Sequence, residues 1–158
     1  MNQPPLLTCN YDRDTFVVAS MRNNIDERPV QVASDGNLSP VSVDRRLMKL
    51  AIRQLLDNAL KYSRRSTPVS VQVQNGNDMI TIAVTDYGDG IPSQEQSRIF
   101  ERLYRSPSVE RHIPGSGLGL SIALNIARAH HGDLNVSSRP GETTFRLSLP
   151  VDMEERTE

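Results

Sequence analysis

The 158-residue chain has one cysteine, no tryptophan and only 4% aromatic residues. Cys9 alone excludes an internal disulfide and a cysteine-rich zinc site, and in its proline-containing leader it reads as a bystander. No apolar run reaches the length of a membrane span or of a signal-peptide core. The chain therefore reads as a soluble, cytoplasmic piece without direct membrane contact, although a longer, membrane-anchored parent could carry it. Charge of either sign is not in excess: the net value is −1, and Lys and Arg form no basic run. Nothing points to nucleic acid or an anionic membrane as a partner.

The length suits one domain with a core of its own. Residues 1–10 are polar and proline-containing and read as a linker or frayed start, residues 11–150 as the domain, and residues 151–158 as a charged tail. Tyr11 to Glu27 is loosely helical up to Pro29. Val30 to Ser34 alternates as a short strand, and Val41-Ser42-Val43 suggests a second brief one. Val69, Val71 and Val73 alternate with polar residues, Asn75-Gly76-Asn77 is a hairpin turn, and Met79 to Asp86 is the returning strand. Ser93 to Arg102 predicts a short helix. Gly119 to His131 predicts a longer one, ended by Gly132 in the C-terminal glycine position. Asp133 to Ser138 and Thr143 to Pro150 close the chain as strands around Arg139-Pro140-Gly141. Helices and strands come in separate groups with antiparallel hairpins, which implies an α+β fold, one mixed sheet with helices on one face.

The stretch from Asp44 to Ser63 carries two messages on one helix. Met48, Ile52, Leu55, Leu56 and Ala59 share a side, Arg46, Lys49, Arg53 and Asp57 the opposite one, and Asp44 is an N-cap. Between them runs a stripe that begins with Leu47 and Ala51 and continues as Gln54, Asn58, Lys61 and Tyr62. A buried carboxamide needs partners. Asn58 can ligate Mg²⁺, Lys61 can meet a phosphate and Tyr62 can pack on a base; a turn cap and a solvated lysine would account for the same residues.

Two glycine-rich segments add to this. Asp86-Tyr87-Gly88-Asp89-Gly90-Ile91 follows a strand, where the glycines let the main chain approach a flat ring and Asp86 can accept from an exocyclic amine; a plain surface turn is the alternative. Gly115-Ser116-Gly117-Leu118-Gly119-Leu120 precedes a helix and offers backbone N–H groups to an anion. The irregular segment between Arg105 and Gly115 has the character of a mobile lid.

Taken in order, RQLLDNALKYS, DYGDGI, IFERLYR and GSGLGLSIA resemble the asparagine, first glycine, phenylalanine and second glycine boxes of sensor histidine kinase catalytic domains, from about Val30 to Pro150. The resemblance implies the ATP-binding fold shared with gyrase, heat-shock chaperone and mismatch-repair ATPases. That fold is a two-layer α/β sandwich, a mixed, mostly antiparallel sheet of about five strands backed by about three helices, with ATP under a lid. By the same resemblance Asn58 would ligate Mg²⁺, Lys61 would reach the phosphates and Tyr62 would pack near adenine. Asp86 would take the adenine amine, with Gly88, Gly90 and Ile91 shaping its pocket. Gly115, Gly117, Leu118, Gly119 and Leu120 would line the phosphates, Arg102 or Arg105 would neutralise them, and Thr143 or Thr144 would lie beneath adenine. Glu142 stands where the family often keeps a glycine.

Gln54 also departs from the family, in which a second asparagine is usual. Hydrolysing relatives place a glutamate there as the general base, which Gln54 cannot be. A carboxamide suits a nucleophile that needs no base, such as a neutral imidazole. His112, His130 and His131 lack a phosphoacceptor context and read as structural or solvated. The expected function is thus transfer of the ATP γ-phosphate to a histidine on separate dimerisation helices of the parent protein, with a response regulator downstream. The piece itself is expected to bind ATP·Mg²⁺ as a monomer. The rivals are a nucleotide-sensing or interaction module without transfer, and a gyrase- or chaperone-type ATPase.

Overall fold

The computed structural model describes residues 28, 30–107 and 113–152. The helix expected over 11–27, Cys9, His112 and the charged tail beyond 152 lie outside the described residues. Five strands form one sheet in the order β1-β2-β3-β5-β4, with β1 at Val30–Ser34, β2 at Val69–Asn75, β3 at Met79–Asp86, β4 at Asp133–Arg139 and β5 at Glu142–Pro150. Only β1 and β2 run parallel, across the connection that contains helix α1, Arg45–Tyr62; the other neighbours are antiparallel. That is the mixed, mostly antiparallel sheet expected. Helix α2, Gly119–Ala129, lies beside α1 on the same face, where both contribute to one core. No helix among the described residues is long and apolar enough to cross a membrane.

The hairpin of β2 and β3 turns where expected, closed by the Gly76 amide donating to the Met79 carbonyl at 2.8 Å. The Asp44 side chain caps α1 by accepting from the Arg46 and Leu47 amides. Met48, Ile52, Leu55, Leu56 and Ala59 are buried as their spacing requires, joined by Ala51, whereas Leu47 is exposed. These side chains meet the inner face of the sheet, where register sets up successive rows: Ile82 opposite Leu147, then Val84 opposite Phe145 and Val136. The next row of that face is polar. It consists of Asp86, Thr143 and Ser138, paired side by side across β3, β5 and β4. The sheet thus turns polar at one end, as the stripe on α1 does.

Three local expectations change. Val41-Ser42-Val43 forms no strand; Val43 is buried in the core, but the segment joins no ladder. Ser93 to Arg102 is a run of turns with a single 3-10 turn at Arg98–Phe100, because its apolar pair, Ile99 and Phe100, suffices for one contact with the core and not for a helical face. Phe100 meets Phe145 edge to face at 6.2 Å. At the end of α2, the residue in the left-handed region is His131 (φ 60°), not Gly132. The Gly132 amide still donates to the Ala127 carbonyl. Its lack of a side chain serves another purpose, since a Cβ there would collide with the Ser148 carbonyl oxygen of β5. His130 is structural: its Nε2 accepts the Asp44 amide at 3.0 Å and its Nδ1 bonds the Ile126 carbonyl at 2.7 Å, so Nδ1 carries the proton.

Candidate nucleotide site

The polar ends of α1 and of the sheet face the same cavity, of about 270 Å³. From α1 it is lined by Gln54, Asp57, Asn58, Lys61 and Tyr62. From the turn after β3 come Asp86, Asp89, Gly90 and Ile91, and from β5 Thr143 and Phe145. Further parts of its wall come from Glu95 and Ile99, from Tyr104 and Arg105, and from Gly115, Gly117, Gly119 and Leu120. Five sequence segments, some far apart in the chain, therefore converge on one concave site, as ligand sites do.

Asp86 is 3% exposed and sits at the deep end. Burial pushes its carboxyl up to about 6, against the opposing pull of the Gly88 amide. That amide donates to Oδ1 at 3.0 Å, so one side of the carboxylate is held and the rest of its acceptor capacity remains for a ligand. Gly88 itself does not line the cavity; a Cβ there would press on the Tyr62 carbonyl oxygen at the end of α1, so its smallness sets how closely turn and helix approach. Gly90, at φ 86°, lies against the Arg139 carbonyl.

The other end of the cavity is cationic. The Lys61 ammonium lies 5.8 Å from the Tyr62 ring centroid and so close to Gly115 that any side chain there would meet it. Desolvation, then repulsion from Arg105, lowers the Lys61 pKa, partly offset by Asp57. Two cations brought together, with Asp57 offsetting the charge only in part, favour a polyanion as ligand. Arg105 donates to the Ile113 carbonyl, which ties the end of the phenylalanine box to the far side of the segment that follows it. Gly117, at φ 71°, packs against the Leu103 backbone, and its carbonyl accepts the Leu103 amide at 2.8 Å. Helix α2 begins at Leu118 without a side-chain cap, leaving its first amides open to an anion.

Not every candidate reaches the site. Arg102 is exposed and, like Leu118, lies outside the cavity wall. Thr144 alternates to the opposite face of the sheet, where its hydroxyl meets that of Thr85 at 2.9 Å, so Thr143 is the threonine of the pocket. Glu142 continues β5 in register with Arg139, to which it forms an ion pair at 3.3 Å, around a Pro140-Gly141 turn with Gly141 at φ 91°. The missing glycine is thus absorbed by a tight hairpin. Tyr104, Glu95 and Ile99 were not singled out from the sequence, although Ile99 and Tyr104 belong to IFERLYR. Arg98 stacks 4.5 Å over the Tyr104 ring and holds it at the wall.

Residues 43–153 match the family model described as histidine kinase-, DNA gyrase B-, and HSP90-like ATPase. The chain belongs to this family. Within it the similarity is to sensor histidine kinases. The chain is 37% identical over 152 residues to the sensor-like histidine kinase SenX3 of Mycobacterium tuberculosis, covering 92% of this chain and 37% of SenX3. It is also 37% identical over 140 residues to the sensor histidine kinase YkoH of Bacillus subtilis, covering 88% and 30%. The chain thus spans about a third of the length of the curated relatives it matches. Among solved structures, the mycobacterial sensor histidine kinase MprB superposes with a TM-score of 0.71 at 31% identity, covering 85% of this chain and 89% of that one. The catalytic domain of the histidine kinase ThkA shares the fold at 21% identity and a TM-score of 0.72. The chain is a sensor histidine kinase ATP-binding domain.

Proposed function

We propose that this domain binds ATP·Mg²⁺ as a monomer and passes the γ-phosphate to a histidine on dimerisation helices outside the present sequence, from which a response regulator takes it. The observation that carries the reading is the polarity of one cavity, with a buried acceptor, Asp86, at one end and two converging cations, Lys61 and Arg105, at the other. An adenine amine and a triphosphate are a donor and a polyanion in one molecule. Tyr62 and Ile91 flank the base, while Lys61, Arg105 and the uncapped start of α2 hold the phosphates. Asn58 offers a side-chain oxygen between the two ends, which fits Mg²⁺ held by one protein ligand, waters and the phosphates. When bound, the metal neutralises charge on the transferring phosphoryl group. In the parent protein the domain would work on the cytoplasmic side.

Gln54 favours transfer over hydrolysis, because it lines the cavity where a carboxylate would have to act as base and cannot accept a proton there. Its Oε1 lies against Gly119, where a Cβ would come within 2.7 Å of it. With radiolabelled ATP and the parent protein's acceptor helices added separately, label should appear on a histidine of those helices. ATP binding without label on the helices would favour a sensing module. Brisk magnesium-dependent hydrolysis by the chain alone would favour an ATPase.

A Gln54→Glu variant should hydrolyse ATP faster than the parent chain. A well-placed base contributes ~10²–10⁴-fold, but here the new carboxylate would sit at the start of α2, whose dipole lowers its basicity. A rise of about 10-fold is therefore expected, read as phosphate released per domain.

A further inference from the structure

The polar row that ends the sheet contains a residue outside the cavity wall whose two shortest side-chain hydrogen bonds reach residues that line it. Ser138 accepts the Ile91 amide at 2.8 Å and lies 2.6 Å from the Thr143 hydroxyl. The Glu142 carbonyl lies further off, at 3.5 Å. Gln96 reinforces the same junction, with Nε2 donating to the Ile91 carbonyl at 2.9 Å and to the Ser138 carbonyl at 3.2 Å. Neither Ser138 nor Gln96 lines the cavity, whereas Ile91 and Thr143 do.

A hydroxyl has one hydrogen to give. The Ile91 amide engages one lone pair of Ser138; its hydrogen can go to Thr143 at 2.6 Å or to the Glu142 carbonyl at 3.5 Å, and the first is the shorter and stronger bond. With the bond in that direction Thr143 accepts from Ser138 and keeps its own hydrogen for the cavity. Beside it in the row, Asp86 offers an acceptor.

We propose that Ser138, supported by Gln96, is a positioning residue that fixes the Ile91 turn and orients the Thr143 hydroxyl as a donor, so that the pocket presents an acceptor and a donor side by side. Adenine carries the complementary pair, an amine donor next to a ring-nitrogen acceptor. Guanine carries the reverse, an oxygen acceptor next to an N–H donor, and meets a mismatch at both points. The inference rests on the nucleotide reading above and adds to it the residues that set base selectivity from behind the wall.

The test measures ATP and GTP dissociation constants by calorimetry on the 158-residue chain and on Ser138→Ala, Ser138→Thr and Gln96→Ala, with circular dichroism on each. Ser138→Ala frees Thr143 to rotate and should weaken ATP by about 3- to 10-fold, the effect of one neutral hydrogen bond, and lower the ATP-to-GTP affinity ratio by a similar factor. Ser138→Thr keeps the hydroxyl and should stay within about two-fold of the parent in both. Gln96→Ala should weaken ATP comparably, since it releases the Ile91 turn. A folded Ser138→Ala chain with unchanged ATP affinity and unchanged ATP-to-GTP ratio would overturn the proposal, as would a Ser138→Thr chain as impaired as the alanine variant. A parent chain that binds no ATP would instead overturn the nucleotide reading itself.

Discussion

Replacing Asn58 by alanine should lower phosphoryl transfer by ~10³-fold or more while ATP still binds within about 10-fold of the parent affinity. The asymmetry follows from where the residue acts. Adenine and phosphates keep Asp86, Lys61 and Arg105, so ground-state binding retains most of its contacts. On the proposed reading, the metal's hold on the developing charge is what is lost, and that matters most at the transition state. Asn58 lies between the core face and the solvent face of α1 and is not part of the core. Alanine is also the better helix former, so the variant should be at least as stable as the parent. Single-turnover transfer to the acceptor helices, with calorimetry on the same preparation, separates the two effects. Transfer within ten-fold of the parent would remove Asn58 from the catalytic set.

Asp86→Asn should show that the pocket is kept at a cost to the fold. The folded-state pKa, raised to about 6 from 3.8, means that the native state holds the proton more tightly than the unfolded chain. The group therefore favours folding below the unfolded value, and this advantage is lost as pH rises through the folded one. Above that, the buried carboxylate costs about 3 kcal/mol, from about two units at 1.36 kcal/mol each. An asparagine does not titrate, so whatever its fixed cost in unpaired N–H groups, the stability difference should move in the variant's favour by roughly 3 kcal/mol between pH 3.5 and 7. Urea unfolding across that range reads the slope, and parallel curves for the two chains would contradict it. Function should move the other way. The amide offers a donor where adenine also donates, so the ATP-to-GTP ratio should fall by ~10²-fold, the worth of a hydrogen bond to a charged acceptor. In the parent chain the same ratio should decline as pH falls below about 6, where Asp86 takes up its proton.

What could be seen in the sequence was whatever depends on local periodicity and turn chemistry. The α1 stripe, its Asp44 cap and the hairpin at Gly76 need only neighbouring residues to specify them, and they stand where expected. The convergence of the four motifs was legible through their order, which resembles a known family. What was hidden depends on register and long-range contact. The choice between Thr143 and Thr144 is made by the pairing of β5 with β3, which places Asp86 opposite Thr143 and sends Thr144 to the other face. Gly132 looked like a helix terminator because glycine often is one; only the position of β5 reveals that it is needed to clear the Ser148 carbonyl. Ser138 looked like one more polar residue in an alternating strand, and no pattern within β4 announces its bond to Ile91, 47 positions away.

Arg28 was equally silent in the sequence, and it ties the start of the described domain to the end of α1. Immediately before β1, its guanidinium donates to the Leu60 carbonyl at 2.7 Å, the Ser63 hydroxyl at 2.7 Å, the Arg64 carbonyl at 2.7 Å and the Thr67 carbonyl at 3.1 Å. These groups surround the last turn of α1, where the Tyr62 carbonyl rests on Gly88 and Gly88 in turn holds Asp86. The arrangement is mechanically a rivet placed where tension would enter. Arg28 is thereby anchored to the end of the asparagine-bearing helix, and the buried Asp86 at the floor of the cavity lies two contacts further along.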